Sequence, residues 1–401
     1  MMQPTAEKWS VADLFSCGGG TSSGFARRPE FQIVGAVDLE LAKPSGGVGA
    51  SGCNATYLEN LGIEPHSRDI MTFSPTEFSR LSGFEKGDLS VLISCAPCTD
   101  FTRTKPTNHS LDTKQNSLVG RSADFVEELL PEIVFMENAR ELINGKFKHH
   151  HDDFCQRLRG LGYDVKSEIH LLSKFGLPQS RERAIIAASR IGPIKTLSDL
   201  WDGRRLSEAA TVRSALSRLA AWQALGHSDP YGESYSGMTD AVRDRIHATP
   251  KDGGSWIDLA RDPQKRTLLT PDCLNRWESG RHGSHPDVYG RMWWDRPAPT
   301  IKRECGHVGN GRYTHPVEDR LLTVREMATL QGFPFDYRFI SLSISNRYRH
   351  IGDAVPPLIA YQLSALAKWM KTGIRPSISD MVMPNTCLSI ADIFETASSS
   401  R

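Results

Sequence analysis

The chain has no run of about eighteen apolar residues, so no segment reads as a membrane-crossing helix. Its opening residues, Met1-Met-Gln-Pro-Thr-Ala-Glu-Lys8, lack the apolar stretch of a secretory signal. There is no cysteine framework either: the eight cysteines are scattered, as expected in a reducing cytoplasm. An excess of one charge is also missing. With 48 Lys and Arg against 47 Asp and Glu, the net charge of +1 points to no partner, and any nucleic-acid surface must come from cations gathered on one face. What remains is a soluble, cytoplasmic protein.

At 401 residues, 39% hydrophobic and 24% charged, the chain has room for two domains and a sizeable core. Short apolar runs with β-branched content recur in the first half: Val11 to Phe15, Ile33 to Val37, Leu89 to Ile93, Ile133 to Met136, Val165 to Leu172 and Ala184 to Ala187. Helical patterns such as Ser122 to Leu130 and Asp152 to Leu161 lie between several of them. This rhythm predicts an α/β fold, a Rossmann-like, mostly parallel sheet with helices on both faces. Ligands of such sheets gather at the carboxyl ends of strands, where Phe15, Asp38, Cys98 and Glu137 fall.

Leu92-Ile-Ser-Cys-Ala-Pro-Cys98 sends a cysteine out of a strand into a Pro-containing loop, and Phe135-Met-Glu137-Asn138 sends out a carboxylate. A thiol is mostly protonated at neutral pH unless a cation or dipole lowers its pKa. Gln179-Ser-Arg181-Glu-Arg183 can supply the cations. Such a thiolate can add to carbon 6 of an electron-poor ring such as cytosine if Glu137 protonates ring nitrogen 3. Carbon 5 then becomes nucleophilic enough to take an alkyl group from a sulfonium donor. Cys95-Ala-Pro-Cys98 also has the spacing of a redox pair or of half a zinc site. The zinc reading wants a second pair, which the other cysteines do not offer, and Pro106, Thr107 and Asn108 argue against the helix that follows a redox pair.

After the first strand, Ser16-Cys17-Gly18-Gly19-Gly20 is a turn almost without side chains where a helix should begin. It is not a Gly-x-Gly-x-x-Gly, and a nucleoside without pyrophosphate suits it better. Asp38, ending the second strand, is placed to bind ribose hydroxyls, and Asp69-Ile70 follows a third short strand. His149-His-His151 reads as a solvated run with no metal, since adjacent helical histidines cannot all face one ion.

The blocks DLFSCGGG, GAVDLE, RDI, SCAPCTDFT, FMENARELI, GLPQSRERAIIA, YGRMWWDRPAPTI, GRYTHPVEDRLLTVREMATLQGFP and IGDAVPP stand in this order. With them the chain resembles the cytosine-5 DNA methyltransferases of bacterial type, over roughly residues 10 to 190 and 285 to 370. The resemblance implies S-adenosylmethionine as donor and double-stranded DNA as substrate, with the cytosine flipped out of the stack so that its face can be attacked. It implies Cys98 as nucleophile, Glu137 on ring nitrogen 3 and the exocyclic amine, and Asn138 as brace of its loop. Arg181 and Arg183 would address the ring oxygen and nearby phosphate. Around the cofactor it implies Phe15 on the adenine, Gly18, Gly19 and Gly20 along the methionine, Asp38 on the ribose, Asp69 and Ile70 at the adenine, Pro97 behind Cys98, and Asp353 and Val355 in the last block. It further implies a monomer, associated with the nucleoid, acting alone or beside a cognate restriction endonuclease.

The implied organisation is a cofactor-binding and catalytic domain over 1–190, a target-recognition domain over 191–285, a return segment over 286–371 and a partly disordered tail over 372–401. Most of the eight tryptophans fall between Trp201 and Trp294 and read as a small core. Arg266, Arg276 and Arg281 there could reach guanine edges or phosphates, although solvated charge is the simpler reading. Thr323-Val-Arg-Glu326 reads as a capping box, and Pro356-Pro357 opens an apolar helix from Leu358 to Met370. Cys17, Thr99 and Asp353 depart from the family's usual glycine, glutamine and asparagine. The last two raise the alternatives of a donor group larger than methyl, with Arg103 compensating Asp353, or of a chain that binds DNA without catalysis.

Overall fold

In the computed structural model, which describes residues 8–40, 51–97, 112, 117–229, 231–283 and 285–396, strands and helices alternate through the first half. In chain order come β1 (Trp9–Leu14), α1 (Gly20–Ala26), β2 (Phe31–Asp38), α2 (Cys53–Leu61), β3 (His66–Ser67), α3 (Pro75–Ser82) and β4 (Val91–Ser94). They are followed by α4 (Leu118–Leu129), β5 (Ile133–Asn138), α5 (Glu141–Asn144), α6 (His149–Gly160), β6 (Asp164–Leu171), β7 (Gln179–Ser180) and β8 (Glu182–Ser189). Seven strands form one sheet in the order β3-β2-β1-β4-β5-β8-β6. It is parallel from β3 to β5, while β8 runs antiparallel to both β5 and β6.

Period-2 alternation and burial of both faces explain why these strands read as unbroken apolar runs. Val11, Val91, Ile93, Ile133 and Phe135 pack into one apolar cluster, and Ala12, Leu14, Leu92, Val134 and Met136 into another on the opposite face. The second cluster is closed by Phe125 of α4 and Phe154 of α6.

The rest of the chain closes the first. α7 (Leu197–Leu200), β9 (Arg204–Leu206) and α8 (Val212–Ala224) send Leu197, Leu200, Val212 and Leu219 into it. Beyond α9 (Asp240–Ala248), α10 (Trp256–Arg261) and α11 (Pro271–Glu278) build a separate small core of Trp256, Ala260 and Cys273, in keeping with a packing role for that tryptophan. The return runs through β10 (Ala298–Pro299), α12 (Val324–Leu330), α13 (Ile344–Asp353) and α14 (Pro357–Thr372). The capping box of α12 is formed, with Thr323 and Glu326 each satisfying the other's backbone N–H. α14 lies on α1 so closely that a Cβ on Gly24 would sit 2.4 Å from the Tyr361 nitrogen.

The described part of the tail packs on the body: Met381, Met383 and Leu388 are buried, Arg218 holds Asp392 at 2.6 Å, and β11 (Ile393–Glu395) pairs antiparallel with β9. Residues 397–401 lie outside the described residues. One expectation needs correction: the histidine run is not uniformly solvated, because His151 is buried against Ser167 while His149 and His150 both turn to Asp112. No described helix is long and apolar enough to cross a membrane.

Candidate active site

The turn after β1 is built around one carboxylate. Phe15, Cys17 and Gly19 adopt left-handed φ angles of 61°, 44° and 82°, so two non-glycine residues carry strain within one short turn. Asp38, at the carboxyl end of β2, offsets it: Oδ2 accepts from the Cys17 N–H at 2.9 Å and Oδ1 from the Glu40 N–H at 2.8 Å. A Cβ on Gly19 would sit 2.8 Å from Leu61 and 2.9 Å from the Tyr337 hydroxyl, which itself donates to the Gly18 carbonyl. One on Gly20 would sit 2.6 Å from the Val355 carbonyl oxygen and 2.8 Å from Ala354 Cβ. The glycines are therefore required by the close approach of the return segment, which brings Ala354 and buried Val355 to the start of α1.

Two buried titratable groups support this turn. Asp13 of β1 accepts from Ser22 Oγ at 2.6 Å, which in turn accepts from the Tyr57 hydroxyl at 2.7 Å. Burial pushes the Asp13 carboxyl up to about 7. His350 of α13 lies against Gly18, and burial lowers its pKa to about 4, so it is neutral. Its Nε2 faces the Ser51 carbonyl at 3.0 Å and must carry the proton, leaving Nδ1 to accept from Thr56 Oγ1 at 3.2 Å. Neither group was singled out in the sequence; only the intervals separating them from the glycine turn, which carry no local pattern, could have linked them to it.

At the ends of β4 and β5 the second half of the site assembles. Asn138 Nδ2 donates to the Ala96 carbonyl at 3.0 Å, tying the segment that leads through Pro97 to β5. Cys98 itself, with Thr99 and Arg103, lies outside the described residues. Glu137 pairs across the ladder with Ile185, which puts Arg183, two residues earlier on β8, on the same face. Arg183 Nε stands 2.7 Å from Glu137 Oε1, both side chains being largely buried. The N–H does not point along that line, so this is a close ion pair without an aligned hydrogen bond. Arg181, by contrast, is buried and directs Nη1 to the Ile301 carbonyl at 2.9 Å. The two arginines are thus separated: one faces the acid, the other grips the return segment.

The remaining candidates line the rim. Asp69 is exposed and caps its own turn through Met71 N–H at 2.9 Å, while buried Ile70 offers its carbonyl to Arg121 Nε at 2.8 Å. Asp353 accepts from Arg303 Nε through both oxygens, at 2.6 and 2.9 Å. Arg303 is thus the ionic partner of Asp353 among the described residues. Cys95 is half-buried at the end of β4, and desolvation together with nearby Asp13 and Glu137 holds its thiol well above the usual range, which disfavours a redox role. Arg266 and Arg276 are engaged by the Ala260 carbonyl and by His285, and Arg281 by Ser279.

A family model described as C-5 cytosine-specific DNA methylase matches residues 9–368. The chain is 30% identical over 372 residues to the Type II methylase M.HgiDII of Herpetosiphon aurantiacus, covering 91% of this chain and 96% of that protein. It is 28% identical to the Type II methyltransferase M1.BsuMI of Bacillus subtilis, covering 90% and 80%. Among solved structures, a putative prophage-encoded DNA modification methyltransferase from E. coli superposes with a TM-score of 0.60 at 19% identity, covering 90% of this chain and 99% of that one. The S. pombe Dnmt2 methyltransferase does so with a TM-score of 0.54, also at 19% identity and with the same coverage.

Proposed function

Because the chain belongs to the C-5 cytosine-specific DNA methylase family, we propose that it methylates carbon 5 of a flipped cytosine in duplex DNA through a covalent adduct on Cys98. The observation that carries this reading is the Glu137–Arg183 pair on one face of the sheet, beside the segment to Cys98 that Asn138 holds. The Cys98 thiolate adds to carbon 6 while Glu137 delivers a proton to ring nitrogen 3, so charge does not build up in the ring. Arg183 keeps the Glu137 carboxylate aimed and offers its remaining N–H groups to the ring oxygen. Carbon 5 takes the methyl group, then loses its proton to a base; the electron pair released expels the thiolate, and ring nitrogen 3 returns its proton to Glu137.

The residues fit S-adenosylmethionine, which when bound supplies the methyl group as a sulfonium. Asp38 stands where ribose hydroxyls can share its oxygens, Asp69 offers an exposed carboxylate to an amino group, and Phe15 offers an aromatic face. The glycine turn leaves its backbone bare for close approach. The Arg303 pair offsets the charge of Asp353, so that residue needs no donor other than the methyl sulfonium. The Type II methylases among its relatives support a restriction–modification setting with a cognate endonuclease as partner, in which the enzyme acts as a cytoplasmic, nucleoid-associated monomer.

Duplex DNA synthesised with 5-fluorocytosine throughout tests the adduct. With S-adenosylmethionine, the parent protein should yield a complex that survives denaturing electrophoresis, and Cys98→Ser should yield none. An active parent that leaves no such complex would sink the covalent mechanism.

A further inference from the structure

Between Arg181 and the cofactor wall lies a buried amide pair that takes no part in the chemistry above. Gln179 and Gln331 are both fully buried. Gln179 Nε2 donates to Gln331 Oε1 at 2.7 Å and to the Leu330 carbonyl at 3.2 Å, and its Oε1 accepts from the Ile301 N–H at 3.0 Å. The carbonyl of the same Ile301 accepts from Arg181 Nη1 at 2.9 Å. Gln331 Nε2 donates to the Ala354 carbonyl at 2.7 Å. Ala354 and Val355 are the wall against which Gly20 is packed. Arg181, Ile301, Gln179, Gln331 and Ala354 thus form one continuous hydrogen-bonded row.

The polarity of the row is fixed. Turning the Gln179 amide over would set its NH2 against the Ile301 N–H and its oxygen against the Leu330 carbonyl, losing every bond it makes. Two buried amides are costly unless fully bonded, and these two are bonded to the Ile301 N–H and to the Leu330 and Ala354 carbonyls, main-chain groups that an apolar side chain would leave without those partners. The row also provides a fixed spacing between the arginine segment and the backbone at 353–355.

We propose that Gln179 and Gln331 are positioning residues that set the Ala354–Val355 wall by reference to the arginine segment, so that binding of the methyl donor depends on both amides in series. This rests on the methyltransferase reading above. The row acts as one unit, so breaking it at either amide has the same consequence and breaking it twice adds nothing.

The test uses the full chain, tritiated S-adenosylmethionine and unmethylated phage genomic DNA, whose sequence variety supplies the target. Gln179→Met and Gln331→Met keep volume and remove the bonds. Each should raise KM for S-adenosylmethionine about tenfold, roughly the loss of one buried hydrogen bond. The double variant should raise it no further, with every variant assayed well below its own melting temperature. Gln331→Glu serves if the methionine variants do not fold. When protonated its carboxyl makes both bonds, so KM should be near that of the parent at low pH and rise as the proton is lost. Folded variants with unchanged KM, a double variant showing the product of the single effects, or a pH-independent Gln331→Glu KM each overturn the proposal. A parent that transfers no label to DNA overturns the methyltransferase reading itself.

Discussion

Arg183 and Glu137 face one another across the antiparallel β5–β8 ladder with Nε 2.7 Å from Oε1, and the N–H is not aligned on the oxygen. The pair fixes where the carboxylate lies while leaving its hydrogen-bonding capacity for a base. An acid poised in this way contributes about 10²- to 10⁴-fold to a proton-coupled step.

Glu137→Gln is accordingly expected to lower the single-turnover rate of methyl transfer by at least about 10²-fold while the melting temperature stays close to that of the parent. Arg183→Ala should lose a comparable factor, and the double variant less than the product, because each residue acts through the other. Retention of more than a tenth of the parent rate by Glu137→Gln would remove it from the chemistry.

A second pair separates charge from shape at the cofactor rim. Arg303→Ala leaves the Asp353 carboxylate without the Nε–H that its two oxygens share at 2.6 and 2.9 Å. KM for S-adenosylmethionine should change several-fold in Arg303→Ala and return toward the parent value in Arg303→Ala/Asp353→Asn, as expected of a coupled pair. Asp353→Asn alone should be nearly silent. Steady-state kinetics of the three variants check this, and a double variant as impaired as Arg303→Ala would show that the arginine matters for some other reason.

The crossing of α1 and α14 makes a stability prediction away from the chemistry. A Cβ on Gly24 would stand 2.4 Å from the Tyr361 nitrogen and 2.5 Å from Ala360 Cβ. Gly24→Ala must push two buried helices apart, which should cost about 1–3 kcal/mol or more. Denaturant unfolding should show a lowered midpoint, whereas Gly120→Ala, in α4 with open space around it, should not.

Much of this was legible in the sequence because it depends on local pattern. The strand runs, the glycine turn, the Thr323–Glu326 capping box and the Pro357 helix start are each set within a few residues. What escaped depends on distant contacts. Nothing near Arg181 says that its guanidinium turns to Ile301, and nothing near Arg303 marks it as the partner of Asp353. The reversal of β8 between β5 and β6 is hidden for a related reason, since buried central strands look alike in either direction. The packing of the tail is hidden in the same way, because Asp392 finds its partner in Arg218, far back in the chain.

Asp13 and His350 oppose one another in the pH dependence of stability. Burial raises Asp13 to about 7, above the roughly 3.9 of an unfolded aspartate, so the folded protein holds a proton that the unfolded chain has lost. Its contribution is complete below about pH 4 and is lost as pH rises towards 7. Burial lowers His350 to about 4, below the roughly 6.5 of an unfolded histidine, so its contribution is intact above about pH 6.5 and is lost as pH falls towards 4. Between about pH 4.5 and 6.5 the two slopes largely cancel. Asp13→Asn keeps an acceptor for Ser22 Oγ at 2.6 Å in the parent but cannot ionise. Relative to the parent its unfolding free energy should therefore climb with pH over this window, by up to about 1.4 kcal/mol per pH unit, and level off above 7. Subtracting the two denaturation curves removes every group they share, and a difference independent of pH would show that Asp13 is ionised in the folded protein throughout.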